Sequence, residues 1–166
     1  MAVLDKINNK VVFFVKMLKY RLIYGDSFHV GASFAFRKRF NVNINSGGKI
    51  EIGSHVFFNN DCAINCKKKV DIGDNCIFGE NVKIYDHNHV FSNYNTPIRE
   101  QGYKLKQVII EENCWIGSNV VILPGTKISA NSIIGAGCVI SGLIPEGVIV
   151  TSNRELNYTK RNRNDR

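Results

Sequence analysis

The sequence predicts an all-β chain: a parallel β-helix of about five triangular coils, with one helix before it and one loop projecting from it. Three observations lead there. Apolar residues recur at sixth positions from Val30 to Pro145, residues 3 to 23 carry a three-and-four spacing instead, and the stretch between Ile84 and Ile110 follows neither period.

The first element is helical. Val3, Ile7, Val11, Phe14, Val15, Leu18 and Leu22 line one stripe, so residues 1–25 are expected to form an amphipathic helical cap. The run "VVFFV" is followed by Lys16 and falls far short of the roughly 20 residues that cross a bilayer. Lys16, Lys19 and Arg21 also interrupt any signal-peptide pattern, which points to a cytoplasmic protein. The helix has two candidate uses. It closes the unpaired edge of the first coil, or it rests its cations Lys10, Lys16, Lys19 and Arg21 on anionic lipid at the inner face of the membrane. The expectation is the cap, with peripheral membrane contact as its alternative.

The hexads follow. "VGASFA", "FRKRFN", "VNINSG", "IGSHVF", "FNNDCA", "INCKKK", "IGDNCI", "FGENVK", "IYDHNH", "IEENCW", "IGSNVV", "ILPGTK", "ISANSI", "IGAGCV" and "ISGLIP" all begin with an apolar residue. The last six run from Ile110 to Pro145 without a break, and a fixed short period of this kind is the mark of a parallel β-helix. Three hexads make a coil, so residues eighteen apart stack about 4.8 Å apart. The coils expected are Val30 to Gly47, Ile52 to Lys69, Ile72 to His89, Ile110 to Lys127 and Ile128 to Pro145. Gly or Asn at the second place of nine hexads is expected to turn the chain through positive φ.

The frame also places the cysteines. Cys62, Cys76, Cys114 and Cys138 take the fifth place of their hexads, where other hexads carry Val56, Val82, Val120 and Ser132, so they read as small core residues. No C-x-x-C pair occurs and the total is odd, which argues against a disulfide framework and against a metal site.

At 166 residues, with 44% hydrophobic and 22% charged, the chain forms a single domain, with residues 30–150 as the β-helix and 151–166 as a basic tail. The formal charge of +8 suits an anionic partner without naming one. Aromatics interleaved with a basic stripe are absent, so nucleic acid is not an expected partner. A zinc hydratase on this scaffold would need three convergent histidines, and only His87 and His89 lie close in sequence; His29 and His55 read as surface residues.

The segment "CWIGSNVVILPGTKISANSIIGAGCVI" resembles the hexapeptide-repeat acyltransferases, in the branch that holds galactoside, maltose and capsular or exopolysaccharide O-acetyltransferases. The resemblance covers about residues 30 to 150. "DHNH" followed by "REQGY" is similar to the capsule-type members. The resemblance implies a left-handed β-helix, a homotrimer with sites between adjacent subunits, acetyl-CoA as donor, a saccharide acceptor and no metal. It implies that the loop, residues 86–107, closes over the acceptor, as befits a long irregular segment in a regular solenoid.

Aligned on "IY", the family's catalytic histidine falls on His89, which would take the proton of the acceptor hydroxyl as general base. Asp86 would hold the imidazole in its useful tautomer or bind an acceptor hydroxyl, with His87, Arg99 and Tyr103 as further acceptor contacts. On the donor side the resemblance places Trp115 along the pantetheine arm, and the small positions Ser118, Ala136 and Ser141 along the coil groove. The chain departs from the family pattern at Gly142, where a basic residue often stands, leaving Arg154, Lys160 and Arg161 as candidates for the nucleotide phosphates. An N-acyltransferase acting on an amino sugar or amino acid would use the same fold and donor, and is the alternative reading.

Overall fold

The computed structural model describes residues 2–45 and 47–152, with side chains from residue 11 onward. The chain folds as a left-handed parallel β-helix preceded by one helix, Ala2–Tyr24. Its three flat faces are parallel sheets: face one of six strands beginning at Phe28–Val30, face two of six beginning at Ala35–Phe36, and face three of five beginning at Asn41–Ile44. Ile52, Ile72, Ile110 and Ile128 stand in register along face one, as the hexad frame requires.

The coil count exceeds the expected five. Leu143–Ile144 and Ile149–Val150 add a sixth coil with two sides. The reason is a shortened corner: Gly142, at φ +78°, lets Ile144 follow Ile140 after only four residues, so a strict hexad frame steps past the strand.

The turn chemistry also differs from expectation, and the difference is physical. The left-handed residue is the fourth of eleven of the fifteen hexads: Ser33, Arg39, His55, Asp61, Asn75, Asn81, Asn113, Asn119 and Asn131 have φ between +54° and +66°, and Gly125 and Gly137 share the position. Asn and Asp recur there because their short polar side chains tolerate this region best among non-glycine residues. The second-place glycines answer a different need. A Cβ on Gly53, Gly73, Gly79 or Gly117 would lie 2.6–2.8 Å from a backbone nitrogen of the next coil, so these positions are where neighbouring coils touch.

Inside the prism the columns taper. Phe36, Phe58 and Phe78 stack down face two, the last pair with ring centroids 4.0 Å apart and nearly parallel planes. Ile116 and Ile134 continue the column. The fifth-place column runs Phe34, Val56, Cys76, Cys114, Ser132, and all five cysteines of the chain are buried and unbridged.

The N-terminal helix closes the wide end, but with Phe13, Met17, Tyr20 and Tyr24 and not with the expected stripe, of which Val11, Phe14, Val15, Leu18 and Leu22 lie exposed on the other side. Phe13 packs on Phe36 at 4.8 Å and Tyr20 meets Phe28 edge-on at 5.4 Å. Tyr20 Oη donates to the Phe40 carbonyl and accepts from the Val42 N–H, both at 3.2 Å, while Tyr24 Oη donates to the Val42 carbonyl at 3.1 Å. Lys16 Nζ also reaches the Phe40 carbonyl, at 2.5 Å. At the start of face three, the strand edge that an open solenoid would leave unpaired is thus bonded by side chains of the helix. Among the described residues no helix is long and apolar enough to cross a membrane.

Phe58 sits fully buried between Phe40 and Phe78. Phe58→Ala is expected to cost about 3–5 kcal/mol, read as a lower urea midpoint at unchanged slope. A loss below about 1 kcal/mol would show that the aromatic column is not the packed core described.

Candidate active site

The chain leaves the prism at one corner, after the face-three strand Lys83–Tyr85, and the residue at the point of departure is Asp86. Its carboxylate is fully buried. The backbone N–H groups of Lys67, Lys68 and Lys69, at the matching corner of the preceding coil, donate to it at 2.6–3.0 Å. The Cys66 thiol adds a contact at 3.2 Å. His87 Nδ1 lies 2.8 Å from Asp86 Oδ1, and since an ionised carboxylate only accepts, the ring carries its proton on Nδ1. Burial alone would raise the Asp86 pKa, but the bonds from His87, the Lys68 and Lys67 backbone and Cys66 outweigh it and hold the carboxyl below its ordinary range. Burial, and then the Asp86 charge, push the Cys66 thiol up to about 12, so it stays a donor.

The projecting segment is more ordered than its sequence suggested. Asp86 also accepts, on its backbone oxygen, the N–H of Lys106 at 2.7 Å, which closes the loop at its root. From there His87–His89 pairs antiparallel with Tyr103–Leu105, His87 opposite Leu105 and His89 opposite Tyr103. The alternation of a strand puts His87, His89 and Tyr103 on one side. The Tyr103 ring lies 4.5 Å from the His89 ring and 5.3 Å, edge-on, from His87, with Lys67 Nζ 4.1 Å above it. The tip is knotted by Gln101, whose Nε2 donates to the Asn93 and Thr96 carbonyls at 2.7 Å and whose Oε1 accepts from the Asn93 N–H at 3.0 Å. An open cavity of about 400 Å³ lies between the hairpin and the next corner, lined by Asn88, His89, Phe91, Lys104, Lys106 and Pro124 among others.

These positions correct part of the sequence reading. Asp86 orients His87 and not His89, because the corner that buries the carboxylate places it beside the adjacent ring. Arg99 sits in the short helical turn Ile98–Glu100 near the tip, facing Glu100 at 3.4 Å, and shares no described contact with the histidines. Lys67 and Gln101 are the residues that sequence reasoning missed. Lys67 was hidden in a hexad remote from the loop, and the role of Gln101 depends on loop geometry that has no period.

The donor-side residues occupy another edge of the prism. Trp115 points outward from face two, half exposed, in an apolar ladder with Phe57, Ile77, Ile133 and Ile149. Ser118 and Ala136 follow on successive coils at the corner between faces two and three, where Ser118 Oγ donates to Glu80 Oε2 at 2.9 Å. Ser141 belongs to the corner between faces three and one, the same edge as the loop root. Arg154, Lys160 and Arg161 lie outside the described residues.

Comparison with known proteins bears on this arrangement directly. Residues 107–142 match the family described as bacterial transferase hexapeptide (six repeats). The crystal structure of a maltose O-acetyltransferase from Clostridium difficile 630 is 32% identical, with a TM-score of 0.67 over 80% of this chain and 69% of that one. This chain belongs to the hexapeptide-repeat acyltransferases, in their sugar O-acetyltransferase branch. A hexapeptide-repeat acetyltransferase of Vibrio cholerae O1 biovar eltor, complexed with acetyl coenzyme A, is 27% identical with a TM-score of 0.67 over 81% of this chain and 69% of that one. The galactoside O-acetyltransferase of Lactococcus lactis is 36% identical over 107 residues, 63% of this chain and 50% of that protein. The chain spans about half the length of the curated relatives it matches.

Asp86 ties two coils and the loop together, which makes it testable apart from chemistry. Asp86→Asn would set an amide N–H₂ among backbone donors, and is expected to cost on the order of 3 kcal/mol in urea unfolding. The pH dependence has a defined sign. A carboxyl whose folded pKa is depressed contributes stability above its unfolded pKa, near 4, and loses it as pH falls through the lower folded value. The parent should therefore show an acid limb of stability that the Asn variant lacks; equal limbs would remove Asp86 as the corner's anchor.

Proposed function

We propose that this chain transfers the acetyl group of acetyl-CoA to a hydroxyl of a saccharide, such as a unit of a capsular or exopolysaccharide, as a homotrimer with each site shared by neighbours. The chemistry needs a base within reach of the acceptor and a groove for the donor. His89 takes the hydroxyl proton as the oxygen attacks the thioester carbonyl; the C–S bond then breaks, and the coenzyme A sulfur leaves with the proton that the imidazolium returns. The observation that carries this reading is access. His89 is exposed, with its ring steadied by Tyr103, whereas His87 is largely covered and bonded to Asp86. His87 and Tyr103 would then contact the acceptor, with Arg99 at the loop's outer rim.

A second reading rests on that same Asp86–His87 bond, since a base oriented by a buried carboxylate is the usual arrangement for proton transfer. In that case His87 is the base and His89 the acceptor contact. The histidines also lie at one edge of the prism and Trp115, Ser118 and Ala136 at another, with face three between them. A single chain does not bring them together. A trimer does so if the tryptophan edge of one subunit faces the histidine edge of the next, which also covers the apolar ladder of face two. The relative from Vibrio cholerae holds acetyl coenzyme A, which supports that donor here. The cytoplasm, where acetyl-CoA is made, is the matching location.

Two measurements test this. His89→Ala is expected to lower kcat at least about 10²-fold with acetyl-CoA affinity intact, and His87→Ala to act mainly on the acceptor KM. The reverse result selects the second reading, and full activity in both variants removes the histidines from the chemistry. Light scattering should give three times the 18.7-kDa chain mass, and Trp115 fluorescence should change saturably with acetyl-CoA. A monomer at micromolar concentration would end the shared-site reading. Mass spectrometry of the product separates O- from N-acetylation.

A further inference from the structure

The N-terminal helix has two faces, and only one is used by the fold. Phe13, Met17, Tyr20 and Tyr24 turn toward the first coil. On the opposite side Val11, Phe14, Val15, Leu18 and Leu22 are all at least half exposed, up to 78% at Leu22. At 100° per residue these five fall on a single arc of about 100°, with Arg21 on one flank and Lys19 on the other. Neither cation has an ion-pair partner among the described residues, and the sequence of the helix holds one acidic residue, Asp5. A groove of about 550 Å³ runs alongside, between helix and first coil, with Phe14, Leu18 and Arg21 on its lip.

We infer that the outer face of the N-terminal helix docks on the surface of an anionic lipid bilayer, so that the protein works as a peripheral membrane enzyme. An apolar arc flanked by cations is the pattern of a helix lying in the headgroup region: the aliphatic side chains enter the acyl boundary and Lys19 and Arg21 meet lipid phosphates. A second copy of the chain fits the same face less well. Two such faces packed together would set Lys19 and Arg21 against each other with no carboxylate between them. The cap and the lipid contact are not rivals, because the cap uses the inward face and the bilayer the outward one. In the proposed trimer the coil axes run parallel, so three outer faces share one end of the assembly and bind with the gain of multivalency. A lipid-linked glycan would then present its sugar to a site already held at the membrane.

The test uses the full chain with sedimented vesicles rich in phosphatidylglycerol and with vesicles of phosphatidylcholine alone. Binding is expected to be at least about tenfold tighter on the anionic vesicles and to weaken as salt is raised. Lys19→Glu/Arg21→Glu should lose that preference, and Leu18→Glu/Leu22→Glu should abolish binding, with assembly mass and melting temperature of both variants unchanged. Leu22→Ser, at the most exposed position, should still weaken binding severalfold if the double variants fail to fold. Absence of binding to anionic vesicles, or binding that survives both leucine variants, overturns the inference. So does a fall in assembly mass in Leu22→Ser, which would assign the face to a second copy. Acetyl transfer to a soluble sugar, measured in parallel, reports the proposed activity independently of the membrane result.

Discussion

A single buried carboxylate sets where this solenoid lets go of its own chain. Asp86 draws three backbone N–H groups, a thiol and an imidazole onto two oxygen atoms, and its backbone oxygen fastens the returning strand at Lys106. Burying an unpaired carboxylate would be prohibitively costly. Here the donors replace water almost group for group, so the charge is stabilising where it sits. The three donors belong to the corner Lys67–Lys69 of the preceding coil, so the bond set joins two coils as well as the loop's ends. The position of both histidines follows from it, because they stand one and three residues beyond this anchored residue, on one side of the strand that it starts.

The three faces of the prism differ in chemistry, although one repeat generates them all. Outward positions in the early coils of face one form a charged ladder: Lys49 and Lys69 both bind Glu51, and the carboxyl of Glu51 is held down to about 2 by those contacts. Face two presents Phe57, Ile77, Trp115, Ile133 and Ile149. A water-exposed apolar ladder several rungs long is unfavourable in isolation. Face two is therefore the side on which a cover would remove the most apolar surface from water.

Much of this was legible in the sequence because the hexad fixes which residues point inward, and fifteen leading residues obeyed it. What escaped had local causes. Glycine at the second place and asparagine at the fourth both look like turn residues, and only the coil contacts separate them: Gly79 is small because Ser118 lies against it, Asn81 is polar because its φ is +56°. The sixth coil was lost to a corner shortened at Gly142. The hairpin inside the loop was invisible because three-residue strands carry too few alternations to register. Asp86 was singled out for chemistry, yet its main partners are backbone groups, which have no side-chain signature at all.

The same taper that orders the core explains why the helix stands where it does. Early coils use four-residue strands on faces one and three, such as Lys49–Ile52 and Ala63–Cys66, and fill their width with Phe34, Phe36, Phe40 and Phe58. Later coils use two-residue strands and fill a narrower bore with isoleucine, cysteine and the hydroxyls of Thr126 and Ser132, each bonded to a carbonyl. The wide end therefore leaves an aromatic mouth as well as an unpaired strand edge, and neither can face water. A helix is the element that meets both needs, since one side can offer Phe13 to the rings and the tyrosine hydroxyls to the edge. Once laid flat across the mouth, its other side must face away from the coils along the prism axis. An exposed apolar arc at that position is a consequence of sequence choice alone, because the cap would be equally stable with a polar outer face. That choice, and not the cap, is what an external partner has to account for.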